Sequence, residues 1–202
     1  MEKNNNIKME GIGQIIGGTY NNIKIEGIST ILGDIQGERM VVEGVAKVRG
    51  AIRCNNLDIE GKFNCKGNVD VSNRFNVSGY ASIDGNCQCG ELISDGKLMV
   101  RGLLSADKIV LEITATNEIK EIGGEEIRVI EGKKSIFQGL FYSNKLVSHL
   151  IEGDNIYIEN TECSIVRGRN IKINKGCIID KVEYTGEISI DNRSTVKNLV
   201  KL

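Results

Sequence analysis

The sequence predicts an all-β fold: a single-stranded, three-sided parallel β-helix (solenoid) of about eleven turns with one insertion. Three observations predict it. Glycines recur in pairs six residues apart, the first of each pair at Gly11, Gly27, Gly44, Gly61, Gly79 and Gly96, the second at Gly17, Gly33, Gly50, Gly67, Gly85 and Gly102. Successive pairs are 16 to 18 residues apart, the length of one solenoid turn. Between the glycines apolar residues alternate with polar ones, as in Met40, Val42, Ala46, Val48, Ile52 and Cys54, which is the strand period of two. Such short strands bury a face only when stacked on the equivalent strand of the next turn. Glycine suits the corners, where the chain needs positive φ or a close backbone approach. The absence of proline agrees with a continuous ladder, since proline cannot donate to it.

Taken in order, residues 1–6 read as a polar, disordered N-terminus and residues 7–131 as the main β-helix. Its turns begin at Ile7, Ile23, Met40, Leu57, Phe75, Leu92, Ile109 and Ile127. The first is less regular and reads as a cap. In the seventh the glycines are lost, but Ile113 and Ile119 stand 17 residues after the last pair, so the register is expected to continue. Residues 132–150 break the pattern and read as an insertion carrying Phe137, Phe141 and Tyr142. Residues 151–202 resume as C-terminal turns beginning at Ile156, Ile171 and Ile188. At ~4.8 Å per turn the rod is roughly 50 Å long. Parallel crossovers are overwhelmingly right-handed, which predicts a right-handed helix. The competing solenoid is the left-handed hexapeptide helix of acyltransferases.

The formal net charge of -1 gives no overall basic footprint for nucleic acid or for a membrane surface. No stretch matches a spanning helix or a signal peptide, so a cytoplasmic location is expected. Cys54, Cys65, Cys87 and Cys89 fall on inward positions, and Cys163 and Cys177 occupy comparable places; all read as core and not as metal ligands. Glu10, Glu26, Glu43, Glu60, Asp95 and Glu112 recur just before the first glycine and form an acidic ladder interrupted at Ser78. Lysines close by in sequence make it a solvated charged face in preference to a calcium site. His149 is the only histidine and reads as structural or exposed, not as a general base. No GxxxxGK[ST] phosphate loop is present, and no cofactor, metal or catalytic residue is expected.

The repeats from Ile7 to Leu111, with GDIQGERMVVEG, GNVDVSNRFNVSG and GLLSADKI, resemble the bactofilin family of polymer-forming bacterial cytoskeletal proteins. EIGGEEIRV at 121–129 and the tail GDNIYIENTECSIVRGRNIKI are similar to the longer, paired Firmicute members. The resemblance implies a right-handed β-helix that polymerises end to end without nucleotide and serves as a scaffold. It implies as partners the chain itself and a paralogous bactofilin. Where the family often has a short apolar membrane-targeting N-terminus, this chain has EKNNN, so no direct membrane insertion is expected.

The function read from the sequence is therefore structural and non-enzymatic: self-assembly through the β-helix ends into cytoskeletal filaments or scaffolds. The alternatives are a hexapeptide-type acyltransferase and a soluble β-solenoid binding module. An open solenoid end presents strands with unpaired backbone groups, and neither end has proline or a covering helix. The expected polymerisation interface is Ile7 and Met9 at one end and Ile188, Ile190, Val196 and Leu199 at the other. Phe137, Phe141 and Tyr142 either cover a solenoid flank or form a partner patch.

Overall fold

The computed structural model describes residues 5–132 and 144–202. The described residues contain seventeen strands, from Ile7–Met9 to Thr195–Lys201, and no helix. All pair in parallel in one sheet wound on itself. The winding follows one column of inward side chains. Ile7 stands on Ile23, Ile23 on Met40, Met40 on Leu57, Leu57 on Phe75 and Phe75 on Leu92. Leu92 stands on Ile109, then Ile127, Ile156, Ile171 and Ile188 follow. These are the turn starts expected from the sequence, eleven in all. They define the first face of the solenoid. The second face follows the first glycine of each pair, where Ala46 stands on Phe63 and Phe63 on Ala81. The third follows the second glycine, where Ile52 stands on Val69 and Val69 on Cys87.

The inward residues of the three faces make one continuous core, with Phe63 and Phe75 fully buried near its middle. Burial of these columns against their neighbours above and below supplies the hydrophobic stabilisation that no single turn has alone. The corners explain the glycines. A Cβ on Gly44 would lie 2.1 Å from the Gly27 carbonyl oxygen, and one on Gly61 would lie 2.0 Å from that of Gly44. Close approach between stacked backbones, and not positive φ, is therefore what excludes side chains there; among the paired glycines only Gly33 has a left-handed φ, at 94°. The second corner is reinforced by stacked side chains. Asp34 Oδ1 accepts from the Ala51 amide at 2.7 Å, Asn68 Oδ1 from the Asn86 amide at 2.9 Å and Asn86 Oδ1 from the Leu103 amide at 3.0 Å.

Two details depart from the sequence reading. Ile113 keeps its place, but Ile119 stands on Val100 and not over the Gly102 corner. The corner at 114–117 is longer than the one it stacks on, and the register recovers at a bulge between Val100 and Leu103. Inward Asn117 bridges this corner, accepting from the Leu98 amide at 2.6 Å and donating to the Ala115 carbonyl at 3.1 Å. The stack also resumes earlier than expected. The strand Leu146–Ile158 sets Leu146 on Asn117 and Ile151 on Ile122, so residues 146–150 belong to a turn. Asn144 Nδ2 donates to the Thr114 carbonyl at 2.5 Å and Lys145 pairs with Glu162 at 2.6 Å, fixing the chain where it rejoins. Phe137, Phe141 and Tyr142 lie outside the described residues.

Candidate assembly interface

At the N-terminal end Ile7 and Met9 are half-buried against the core, and Ile15 is buried. The strands Ile7–Met9 and Ile12–Thr19 pair with the second turn on one edge only; among the described residues their other edge has no strand partner. Asn5 and Asn6 lie within this turn, the Asn5 carbonyl accepting from the Asn21 amide and Asn6 Oδ1 from the Asn22 amide. At the other end, among the described residues, Ile188–Ile190 pairs only with Ile171–Ile173, and Thr195–Lys201 only with Ile178–Tyr184. Ile188 and Val196 are half-buried there, while Ile190 and Leu199 are exposed. All six expected interface residues thus sit on the two terminal turns. Ile7, Ile188, Met9 and Ile190 lie in columns of the first face, Val196 in the second and Leu199 in the third.

The sequence reading missed an outward apolar set at the N-terminal end, on the first two turns. Ile12 is 85% exposed, Ile16 68% and Ile28 48%, all on the outside of the second face. The signal was present. Ile15 and Ile16 are adjacent in a strand, so one of them must face water. Gly11, expected only as a corner glycine, sits where an added Cβ would meet nothing within 4 Å among the described residues.

The remaining chemistry is accounted for locally. All six cysteines are free thiols and buried. Burial pushes the Cys54 thiol up to about 12 and the Cys65 and Cys163 thiols up to about 11, which keeps them protonated and poorly nucleophilic. Among the described residues no three His, Cys, Asp or Glu side chains are placed to hold a metal. In the acidic ladder Lys8 bridges Glu10 and Glu26, and Lys24 bridges Glu26 at 2.6 Å and Glu43 at 2.9 Å. Hydrogen bonds from Lys24 and Lys8 hold the Glu26 carboxyl below its ordinary range. Glu60, Asp95 and Glu112, further along, make no such pair among the described residues. His149 is exposed on an outward position of the second face. On the first face of the later turns a groove of ≈ 310 Å³ runs past Tyr157, whose ring is already covered by Arg128 at 4.8 Å and Lys172 at 5.6 Å.

Comparison with known proteins places this geometry. The model of the family described as "Bactofilin: Polymer-forming cytoskeletal" matches residues 5–120, more than half of the chain. The chain belongs to the bactofilin family. The match covers the first six turns and most of the seventh, so Ile7 and Met9 lie inside it and the C-terminal end residues lie beyond it. This bactofilin is also 37% identical over 102 residues to the uncharacterized protein YhbF of Bacillus subtilis (strain 168), an alignment covering 50% of this chain and 42% of that protein. It is 33% identical over 106 residues to the uncharacterized protein YhbE of the same strain, covering 51% of this chain and 44% of that protein. The alignment thus spans less than half the length of either relative. No solved structure matches the chain. Among the described residues no helix is long and apolar enough to cross a membrane.

Proposed function

We propose that this bactofilin is a cytoplasmic scaffold protein whose subunits join end to end through the terminal turns of the β-helix, without nucleotide. The observation that supports this reading most is the pair of unfinished ends. Among the described residues, each terminal turn has strand edges with no strand partner and apolar side chains that continue the core columns. Stacked head to tail, Ile188 and Ile190 of one subunit meet Ile7 and Met9 of the next, and Val196 meets Ile15. Ladders and core extend together, as they do between any two turns inside the rod. A like-to-like junction uses the same residues. A paralogous bactofilin, having the same turn geometry, is the natural second partner.

Negative-stain microscopy and sedimentation of purified protein test this. Filaments are expected. Met9→Lys or Val196→Lys strands an unpaired charge between stacked turns, which is costly, and should shorten or abolish them. The central turns should stay folded, because repeat stability is largely nearest-neighbour. Protein that stays monomeric at every concentration and salt, or full-length filaments from both variants, would overturn the end-to-end reading.

A further inference from the structure

The near-zero net charge conceals a segregation of charge by face. On the outside of the second face, turns three to six carry Lys47, Arg49, Lys62, Lys66, Lys97 and Arg101 against one carboxylate, Asp84. Asp84 is already engaged, by Lys66 at 2.6 Å and Arg101 at 3.6 Å. Lys62 and Lys97 flank Tyr80 in one column, Lys62 lying 5.6 Å from the centre of its ring. Elsewhere the chain pairs its cations closely. Among the described lysines and arginines only Lys47, Arg49, Lys97 and Arg169 have neither a carboxylate nor an aromatic ring as partner, and three of these four are on this face.

Over nearly the same turns the outside of the first face has an acidic excess, Glu43, Asp58, Glu60, Glu91, Asp95 and Glu112 against Arg39, Arg74 and Lys108. Beyond the part neutralised by Lys8 and Lys24, the acidic ladder continues as Glu60, Asp95 and Glu112, which make no ion pair among the described residues. Where the ladder has Ser78, the short side chain opens a hollow of ≈ 340 Å³ lined by Asp58, Glu60, Asp95 and Glu112. Asp58 is paired with Arg39 at 2.9 Å; the other three carboxylates are not.

We propose that the basic second face of one rod docks laterally against the acidic hollow on the first face of a neighbouring copy. The argument is charge complementarity at a shared period. Both surfaces advance by the same strand spacing of ~4.8 Å, so parallel rods bring projecting cations and recessed carboxylates into step. Because two different surfaces meet, the contact is heterologous and propagates from rod to rod into sheets or bundles. One such contact between exposed charges is weak. A filament repeats it along its length, and the repeats act together. The inference rests on the filament reading for that cooperativity, but the paired surfaces exist on each subunit.

The test compares wild type with Lys47→Glu/Arg49→Glu by sedimentation and microscopy at about 0.1 M and about 1 M salt, where the screening length falls from about 10 Å to about 3 Å. Wild type should form bundles at the lower salt that separate into single filaments at the higher. The variant should form single filaments at both, and a second change, Glu60→Lys/Asp95→Lys, in the same chain should restore bundling. Bundling unaffected by the double variant, or single wild-type filaments at both salts, overturns the lateral contact while leaving end joining intact. Preferential capture of wild type by vesicles of anionic phospholipid, with no bundles, also overturns it and gives the face to lipid. If no filaments form at all, lateral pairing of the subunits is read by sedimentation velocity; a salt-sensitive dimer lost in the variant sustains the contact, and its absence overturns it.

Discussion

Ser94 occupies an inward position between Val77 and Leu111, and its hydroxyl is buried with no hydrogen-bond partner. A buried unsatisfied hydroxyl costs about 1–3 kcal/mol, while an apolar group of the same shape costs nothing of that kind. Ser94→Val continues the column with the residue already present at Val77. It should raise stability by about 1 kcal/mol, read as a higher midpoint in urea unfolding with an unchanged slope. Ser29 has the same defect one face along, in line with Ala46. Residues of this kind mark the limit of what single positions disclose. Inward placement of Met40, Leu57, Cys54 or Cys87 was legible because alternation fixes the face of each strand residue. That Ser29 and Ser94 lie inward follows from the same alternation, but the absence of a partner depends on carbonyls of neighbouring turns. The Asp34, Asn68 and Asn86 corner ladder was hidden for that reason, since its bonds link residues 17 or 18 apart.

At the scale of the turn, the eleven starts were legible because one apolar residue must stack on another at a fixed interval. The insertion's end and the displaced Ile119 were not, because a corner can lengthen without changing the alternation around it. The C-terminal turns show how corners manage without paired glycines. Asn160 adopts a left-handed φ of 44°, a conformation asparagine tolerates, and Gly176 follows at 75°. Beside this corner Glu159 is nearly buried. Burial alone would raise its pKa. Hydrogen bonds from the Tyr157 hydroxyl at 2.6 Å, the Glu131 amide at 2.9 Å and Asn174 at 2.7 Å outweigh that and hold the carboxyl below its ordinary range. A carboxylate with a depressed folded pKa contributes stability that is complete above its unfolded value, about 4.3 for glutamate, and lost as pH falls through the folded value. The corner at 131–159–174 should therefore loosen below about pH 4. The protection of the Glu131 amide, its exchange corrected for the intrinsic pH dependence, should fall there in wild type. Glu159→Gln should be less protected at neutral pH and show little change across that window. An identical pH profile in both proteins would mean the cluster does not depend on the Glu159 charge.

At the scale of the whole molecule, the rod is a stack in which every internal turn is constrained from both sides and each terminal turn from one. Gly11 and Gly44 occupy the same corner, yet a Cβ would meet the Gly27 carbonyl of the turn before at 2.1 Å at Gly44 and, among the described residues, nothing within 4 Å at Gly11. The difference is position in the stack. Gly44→Val must push two turns apart and should lower stability by several kcal/mol, as overpacking against backbone does at its worst. Gly11→Val in a free subunit meets open space and should leave thermal unfolding within about 0.5 kcal/mol of wild type. Once another turn stacks on the N-terminal end, its corner backbone arrives where the valine now is. Gly11→Val should then fold normally and fail to elongate. The size of what remains reports polarity. If rods join head to tail there is one kind of junction, and blocking its N-terminal half leaves monomers. If like ends meet there are two kinds, and the C-terminal junction survives, leaving dimers. Sedimentation equilibrium of Gly11→Val, with Val196→Lys as the reciprocal block, separates these outcomes. Filaments of wild-type length from Gly11→Val would show that the first turn is not part of the junction, and would remove Ile7 and Met9 from it as well.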